Sequence, residues 1–480
     1  MQNLIFLFFI GYIAILFLIT WLTSRKANNE TYFTGNRKSP WFVVAYGMIG
    51  ASLSGVTFMS VPGDVVNTQF SYLSVVIGYV LGYLAIAYFL LPLYYKHNLT
   101  SIYQFLDNRF GNEAQKTGSI FFIISRLMGS ALRMYLVIYV LQIFIFDSWN
   151  IPIWATAIFM IIIITLYTFR GGIKTVVWTD TLQTTFLILA LIISIFVILK
   201  DTNLSIFQSL ELLKEDGYTK VFNTDWHAHN YYLKQILGGM FITITMTGLD
   251  QDMMQKNLSC KSLKESRKNM LSFTGILVVV NCLFLLLGGL LLIYAQKNGI
   301  TLPQKSDSIY PELALNYLGI TAAIFFVIGL ISAGFSSADG TFTALTTSFC
   351  FDILKIDKTI PDPKKQTQVR RIVHALMATL FLLIIIIFSS HHNDALIRII
   401  FKVAGYTYGP ILGLFVFGMY TSRKIKIGGW IAICSLITPT IIGILASHSK
   451  AWFAYEFGFE LVIVNGLLMF LLLLLGSKKN

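Results

Sequence analysis

Between Ile331 and Gly340 the chain reads Ile331-Ser332-Ala333-Gly334-Phe335-Ser336-Ser337-Ala338-Asp339-Gly340, a run of hydroxyls followed by a carboxylate inside a long apolar stretch. At the depth where a bilayer holds no water, such groups are costly unless they bind something. Two adjacent serines and an acid are hard oxygen donors, the kind that suit a small hard cation. Two further charges lie in another apolar stretch, Arg126 and Arg133. They are seven residues apart, roughly on one helical face. At about 1.5 Å per residue counted from Gly118, Arg133 falls near mid-membrane. A buried arginine is a natural carboxylate partner. Two uses stand side by side: holding an anionic or zwitterionic small solute, or a structural ion pair with Asp339 or Asp180. Together these residues imply a membrane transporter with a cation site.

The composition requires a bilayer. Of 480 residues, 56% are hydrophobic and only 12% charged, and the mean hydropathy is +0.70. Soluble domains carry roughly 25% charged residues. The apolar runs have the length of spanning helices, not of the short alternating strands of a barrel. The net charge of +13 does not indicate nucleic acid, because the basic residues fall in short loops between apolar runs. Cys260, Cys282, Cys350 and Cys434 form neither a disulfide framework nor a metal-ligand spacing, with Cys260 in a basic loop. The first apolar run, Leu4 to Leu22, is followed by Arg25 and Lys26, so it is expected to be a retained helix with the N-terminus outside.

The elements that must position these residues are thirteen expected spans, near 3–22, 41–62, 70–94, 118–146, 151–169, 175–199, 233–253, 270–295, 319–352, 372–390, 395–420, 427–447 and 460–476. Of the 36 Lys and Arg, 25 fall in the loops expected to face inward, Lys256 among them, and seven in the outward ones. Arg126, Arg133, Arg398 and Lys402 lie in or at the edges of spans. A bias of this size supports the count and an integral protein of the cell (inner) membrane with its C-terminus cytoplasmic. The longest outer connection is about 200–232, and the inner segment from Asp357 to Arg371 is basic and broken by prolines. No soluble module or nucleotide-binding loop is evident, so energy is expected from a gradient.

Two spans are interrupted. Glycines and hydroxyls break the second between Gly47 and Pro62, and the seventh between Gly238 and Gly248. The two lie five spans apart. Interrupted segments at matching positions of two halves point to an inverted-repeat transporter with its site at the midplane. Such breaks free carbonyls for a cation and present helix ends to a solute. Small residues also let helices pack closely, so a single Gly or Ser here carries little weight.

Four stretches carry a family resemblance: Ser54-Gly-Val-Thr-Phe-Met-Ser-Val-Pro62, Arg170-Gly-Gly-Ile-Lys-Thr-Val-Val-Trp-Thr-Asp-Thr-Leu-Gln183, Gly248-Leu-Asp-Gln-Asp-Met-Met-Gln255 and Tyr406-Thr-Tyr-Gly-Pro-Ile-Leu-Gly413. With them the chain resembles the sodium/solute symporter family, whose members carry sugars, proline, sialic acid, monocarboxylates, iodide and vitamins. The resemblance implies an all-α membrane protein and a single transporter domain over 1–480. Its LeuT-like core would be two five-helix inverted repeats, 41–199 and 233–420, with one leading helix (3–22) and two trailing ones (427–476). It implies sodium as the coupling ion, held by the carbonyls of Gly50, Leu53 and Ala333 and the hydroxyls of Ser336 and Ser337. Alternatively, the two serines bond back to the preceding helical turn. Some members bind a second sodium with an acid equivalent to Asp180 and hydroxyls after the serine pair. Here those hydroxyl positions are Asp339 and Gly340. Asp180 and Asp339 could form a second cation site or share a proton, Asp339 could pair with a buried arginine, and Asp180 could be an interfacial acid near Lys174.

For the solute, sugar-carrying members place amides and acids at positions that here are Ser52, Val56 and Thr57, and an amide and a tyrosine where Thr243 and Met246 stand. That set is missing. The segment from Ser54 to Pro62 is similar to that of sialic-acid and monocarboxylate carriers, which implies that the Ser54 and Thr57 hydroxyls, and Tyr72, face the solute. Arg398 and Lys402 are expected to snorkel or pair with Asp394. His391 and His392 are read as a solvated turn.

An enzyme would need a nucleophile–base pair or a metal cluster at one depth, and none is evident. The chain ends at Asn480 without an output domain, against a sensor. Broken helices suit alternating access better than a channel. The expected activity is sodium-coupled symport of a small organic solute, with proton coupling, a transport-like sensor or a sodium channel as the alternatives. Nucleic acid is not an expected partner, and the oligomeric state is not readable from the sequence.

Overall fold

The computed structural model describes residues 2–25, 27–228, 230–390, 394–425, 427–453, 455 and 457–478, with side chains except at 2, 390 and 394–404. His391 and His392 therefore lie outside the described residues, as do the side chains of Asp394, Arg398 and Lys402. The chain is helical almost throughout. In order, the main helices are α1 (Gln2–Ser24), α2 (Trp41–Ser52), α3 (Gly55–Gly63), α4 (Tyr72–Ala85), α5 (Asn112–Leu141), α6 (Ile153–Gly171), α7 (Ile173–Thr202), α8 (Tyr232–Thr243), α9 (Gln251–Leu258), α10 (Leu263–Lys297), α11 (Gly319–Ser348), α12 (Pro363–Ser390), α13 (Asp394–Tyr420), α14 (Trp430–Phe453) and α15 (Leu461–Leu475).

Among the described residues nine helices are long and apolar enough to cross a membrane, and α2 with α3 makes a tenth, bent by 65°. The three other expected spans are also helical, but differently. The seventh is split into α8 and α9, the last apolar helix has 15 residues, and α13 is only partly described. Two helices begin well before their expected spans, Leu263–Lys297 against 270 and Pro363–Ser390 against 372, because polar, basic turns extend the helix beyond its apolar run.

The two breaks have local causes. In the first, Leu53 and Ser54 leave helical geometry (ψ 85° and 163°), and the Ser54 hydroxyl caps α3 by accepting from the Thr57 N–H. In the second, α8 loosens into a wide turn over Ile244–Gly248, and α9 restarts at Asp250, whose carboxylate accepts from the N–H groups of Asp252 and Met253. The carbonyls freed there find hydroxyls: Tyr94 donates to Gly248 O at 2.7 Å and Tyr103 to Leu249 O at 2.9 Å.

The centre of the bundle is α11. Every residue from Phe326 to Ser348 is buried, so this helix has no lipid face. It lies along α7, and α2, α5 and α9 also pack on it. Its threonines bond back to their own helix, as Thr341 does to Ser337 O at 2.7 Å and Thr346 to Phe342 O at 2.7 Å. The outer helices keep large apolar side chains exposed, for example Trp21, Phe196 and Leu475, as lipid contact requires.

The packing of α4 on α8 offers a test of this arrangement. A Cβ on Gly78 would lie 2.2 Å from the Ile236 carbonyl oxygen. Gly78→Leu must separate the two helices, at a cost of roughly 1–3 kcal/mol for overpacking. We expect a lower unfolding midpoint in detergent; an unchanged midpoint would show that α4 and α8 are not in this contact.

Candidate functional site

The first break ends α2 beside α7 and α11. The Ile49 carbonyl still accepts from Leu53 N–H at 2.8 Å. Beyond it the helix stops, and the last carbonyls of a helix have no partner within it. These belong to Gly50 through Leu53. Gly50 is needed here for close approach: a Cβ on it would lie 2.7 Å from Thr184 Oγ1 and 3.3 Å from Ser336 Oγ. Its own N–H donates to Thr184 Oγ1 at 3.0 Å. Across from it, Ser336 donates to Asp180 Oδ1 at 2.5 Å. Ser337 is 3% exposed and its Oγ has no hydrogen-bond partner. Neither serine bonds back to the preceding turn, unlike the threonines of the same helix.

The second break carries charge to the same depth. All of α9 is buried, and its Lys256 is 1% exposed. The Lys256 ammonium lies 2.9 Å from Asp180 Oδ2 and 3.4 Å from Asp252 Oδ1. The Arg126 guanidinium bonds the other oxygen of Asp252 and lies 3.4 Å from Asp250 Oδ2. Its Nε donates to Thr341 Oγ1 at 3.2 Å, and Tyr408 donates to Asp250 at 3.1 Å. A row of alternating charges thus runs from Ser336 through Asp180, Lys256, Asp252 and Arg126 to Asp250. Pairing of this kind offsets the cost of burying charge.

Asp339 stands apart from that row. It accepts from the Tyr167 hydroxyl at 2.8 Å, the Gln183 amide at 3.3 Å and Thr179 at 3.4 Å.

A cavity of about 160 Å³ opens at the breaks. Ser54, Thr57, Tyr72, Arg126, Arg133, Thr243 and Met246 all line it, with Tyr79, Tyr83, Thr247 and Asn281. The N-terminal end of α3 is part of its wall, with Ser54 and Thr57 hydroxyls 3.2 Å apart. Arg126 and Arg133 also face a larger cavity of about 650 Å³ that reaches Lys234 and Glu460. The two arginines differ. Arg126 is held by two carboxylates, whereas no carboxylate lies within ion-pair distance of Arg133 among the described residues.

Several expectations are corrected. Lys256 is not a loop residue, because Asp180 and Asp252 draw it into the core. Arg126 pairs with Asp250 and Asp252, not with Asp339 or Asp180. Asp180 pairs with Lys256, not Lys174, and Asp339 meets hydroxyls and an amide in place of an arginine. Cys260 is buried. Asp250, Asp252 and Lys256 escaped the sequence reading, although three charges within seven residues just after an interrupted apolar run were the available signal.

The model of the "Sodium:solute symporter family" matches residues 32–437. The chain belongs to this family. The sodium/sialic acid symporter SiaT of Proteus mirabilis is 24% identical over 463 residues, 91% of this chain and 88% of that one. The sodium/sialic acid symporter NanT of Aliivibrio fischeri is 24% identical over 467 residues, 95% and 90% of the two chains. The human sodium/iodide cotransporter is 23% identical over 401 residues, 82% of this chain and 61% of its own length. A solved Na+-coupled sialic acid symporter in a substrate-bound outward-open state superposes with a TM-score of 0.83 at 21% identity, covering 98% of both chains. The hydantoin-bound closed form of Mhp1 gives 0.58 at 12% identity, covering 94% of both. The LeuT-like fold is thereby shown.

The protein is a multi-pass membrane transporter, not an enzyme, and it couples the movement of a small solute to sodium. The first break fits a sodium ion. Its oxygens are hard and neutral, they come from a helix end and two hydroxyls, and one of them, Ser337 Oγ, is buried without a protein partner.

The charge row has a measurable weight. Asp252→Asn removes a carboxylate from both Arg126 and Lys256, and breaking a buried pair costs about 3–5 kcal/mol. The part-exposed pair of Lys355 and Asp107 should be worth no more than about 1 kcal/mol. We expect Asp252→Asn to lower unfolding stability in detergent far more than Asp107→Asn. Equal effects would show that the row is not the buried network described.

Proposed function

We propose that the solute carries a carboxylate, held by Arg133 together with the Ser54 and Thr57 hydroxyls at the start of α3. The observation that carries this reading is the difference between the arginines. Arg126 is neutralised by Asp250 and Asp252, while Arg133 lines the same cavity with no carboxylate within ion-pair distance among the described residues. A half-buried guanidinium without an anion is the natural receptor for one. The positive end of α3 beside it acts in the same sense. The hydroxyls of Tyr72, Tyr83 and Thr243 and the amide of Asn281 on the remaining wall suit a solute with further hydroxyl or amide groups. Relatives named for sialic acid and iodide agree with an anionic cargo, and the first of these fits the polar wall best.

Sodium is assigned to the carbonyls of Gly50, Leu53 and Ala333 and the hydroxyls of Ser336 and Ser337. It meets the solute through the break itself, since the same few residues end α2 on the sodium side and begin α3 on the solute side. Each ligand thereby favours the same arrangement of the α2–α3 break, which makes their binding cooperative. The charge bias of the loops supports an N-terminus outside, a C-terminus in the cytoplasm and a place in the inner membrane. The matched breaks in α2–α3 and α8–α9 support repeats at 41–199 and 233–420 within one transporter domain.

The test is thermal unfolding of detergent-purified protein in sodium chloride against choline chloride, with sialic acids, monocarboxylates, amino acids and sugars added to each. Ligands of the folded state raise the midpoint. Sodium should raise it, and a carboxylate solute should raise it further only when sodium is present. Arg133→Gln should weaken that solute by roughly 2–5 kcal/mol, about 30-fold or more, while the sodium shift persists. Ser337→Ala should weaken the sodium shift. An Arg133→Gln protein that binds the acid normally would overturn the solute assignment.

A further inference from the structure

We propose that the first turns of α10 form, with the start of α2 and the wide turn after α4, a binding site for an anionic phospholipid whose phosphate is held by Lys264, Arg267 and Lys268. The site is separate from the sodium and solute assignments. It takes from the reading above only the orientation, which puts this end of α10 in the inner leaflet.

The first observation is which face carries the charge. Along α10 the exposed positions are Lys264, Lys268, Leu271, Gly275, Val279 and Cys282. They recur every three or four residues and so make one stripe down the helix. Beyond Lys268 the stripe is apolar and faces lipid. The cations therefore continue a lipid-facing stripe at headgroup level, where the phosphate of a lipid whose chains touch the rest of the stripe comes within their reach. Among the described residues no carboxylate lies within ion-pair distance of Lys264, Arg267 or Lys268, although Glu265 lies between them in sequence. Lys38 and Lys261 are exposed close by, because the Ser39 N–H donates to the Ser259 carbonyl at 3.0 Å.

The second observation is how the cations are held. Helix α4 runs into a wide turn over Ile86–Leu90, and the Ala87 carbonyl in it accepts from Arg267 Nε at 3.1 Å. This bond fixes the guanidinium by one nitrogen. The two terminal nitrogens, the pair that grips a phosphate, make no hydrogen bond among the described residues. The Arg267 guanidinium also lies 5.5 Å from the centre of the Tyr88 ring, and the Lys268 ammonium 5.9 Å from that of Trp41. Phe42, Tyr88 and Phe89 are each more than half exposed. Aromatic side chains of this kind mark the headgroup level of a membrane.

The third observation is room for a chain. A Cβ on Gly275 would meet nothing within 4 Å, so the stripe has an open notch two turns below Lys268. The opposite face of the same turns is polar and bonded inward. Ser266 donates to Asn257 O at 3.2 Å, and the Asn269 amide to Asn257 Oδ1 at 2.8 Å. A lipid on the outer face thus braces the attachment of α9, the helix that carries Lys256.

The experiment is native mass spectrometry of the purified full-length protein in detergent, given equal amounts of dioleoyl phosphatidylglycerol and dioleoyl phosphatidylcholine. We expect the wild type to retain the phosphatidylglycerol in preference by roughly tenfold or more. Lys264→Gln/Arg267→Gln/Lys268→Gln should lose that preference, and Gly275→Trp, which fills the notch without touching the core, should weaken retention of the lipid. Lys364→Gln/Lys365→Gln, at the exposed basic start of α12, should behave like the wild type, and excess glycerol 3-phosphate should not displace the lipid. Equal retention of the two lipids by the wild type, an unchanged preference in the triple variant, or an equal loss in the α12 variant would overturn the proposal. Displacement by glycerol 3-phosphate would make this a site for free phosphate esters and overturn the lipid assignment. If the triple variant does not fold, Gly275→Trp decides: retention like that of the wild type would show that no lipid lies along this stripe.

Discussion

The contact between Lys256 and Asp180 is the constraint on which the centre of this molecule depends. It joins the short helix Gln251–Leu258 to the long helix Ile173–Thr202 at a depth where neither charge survives alone. Asp180 in turn orients the Ser336 hydroxyl. Asp252, one turn before the lysine, reaches Arg126 on the helix Asn112–Leu141. A single row of side chains therefore ties four helices together and has a sodium-ligand candidate at one end and the solute cavity at the other. Apolar packing alone fixes helix positions loosely in lipid, because lipid tails are as apolar as leucine. Buried pairs with defined partners fix register, and here they fix it where the two interrupted helices meet.

The interrupted helices follow from the same demand for satisfied polar groups. A break inside a membrane is tolerated only where it is buried in protein or lines a cavity. At Gly248 and Leu249 the freed carbonyls are taken by Tyr94 and Tyr103, so that break is closed and structural. At Gly50 to Leu53 the helix ends beside Ser336, and the neighbouring Ser337 Oγ is buried without a partner of its own. The two breaks are matched in place yet differ in how completely their groups are satisfied. The incomplete one is where an exchangeable ligand belongs.

Much of this was legible in the sequence, for physical reasons that also mark where legibility ended. Spanning helices were readable because lipid demands apolar length, and the breaks because Gly, Ser and Thr interrupt it. The serine pair and Asp339 stood out as polar groups in an apolar stretch, Asp180 entered through the family resemblance, and the structure brings Ser336 and Asp180 into contact. Arg126 and Arg133 share a helical face, so both line one cavity. What distinguishes them is a partner about 120 residues away, and no periodicity on their own helix carries that information. Lys256 was misread because counting loop charges assumes that a lysine marks water. The assumption fails where an acid on another helix, Asp180, waits for it.

The charges of the site separate into those that stay and those that must be released. Arg126 and Lys256 each meet two carboxylates, and a carrier that broke such pairs in every cycle would face several kcal/mol each time. They suit a fixed framework. In the site proposed for it, sodium meets carbonyls and hydroxyls, which would hold it without a full opposing charge and so let it go. Among the described residues no carboxylate lies within ion-pair distance of Arg133, which faces the cavity. Under the function proposed above, its guanidinium is left for a carboxylate of the cargo. The pairing of Arg126 by Asp250 and Asp252 contributes to this, because a second free guanidinium seven residues away would hold an anion too tightly to release. Under the proposed function, the acids on the second broken helix neutralise one arginine and leave the other to the solute.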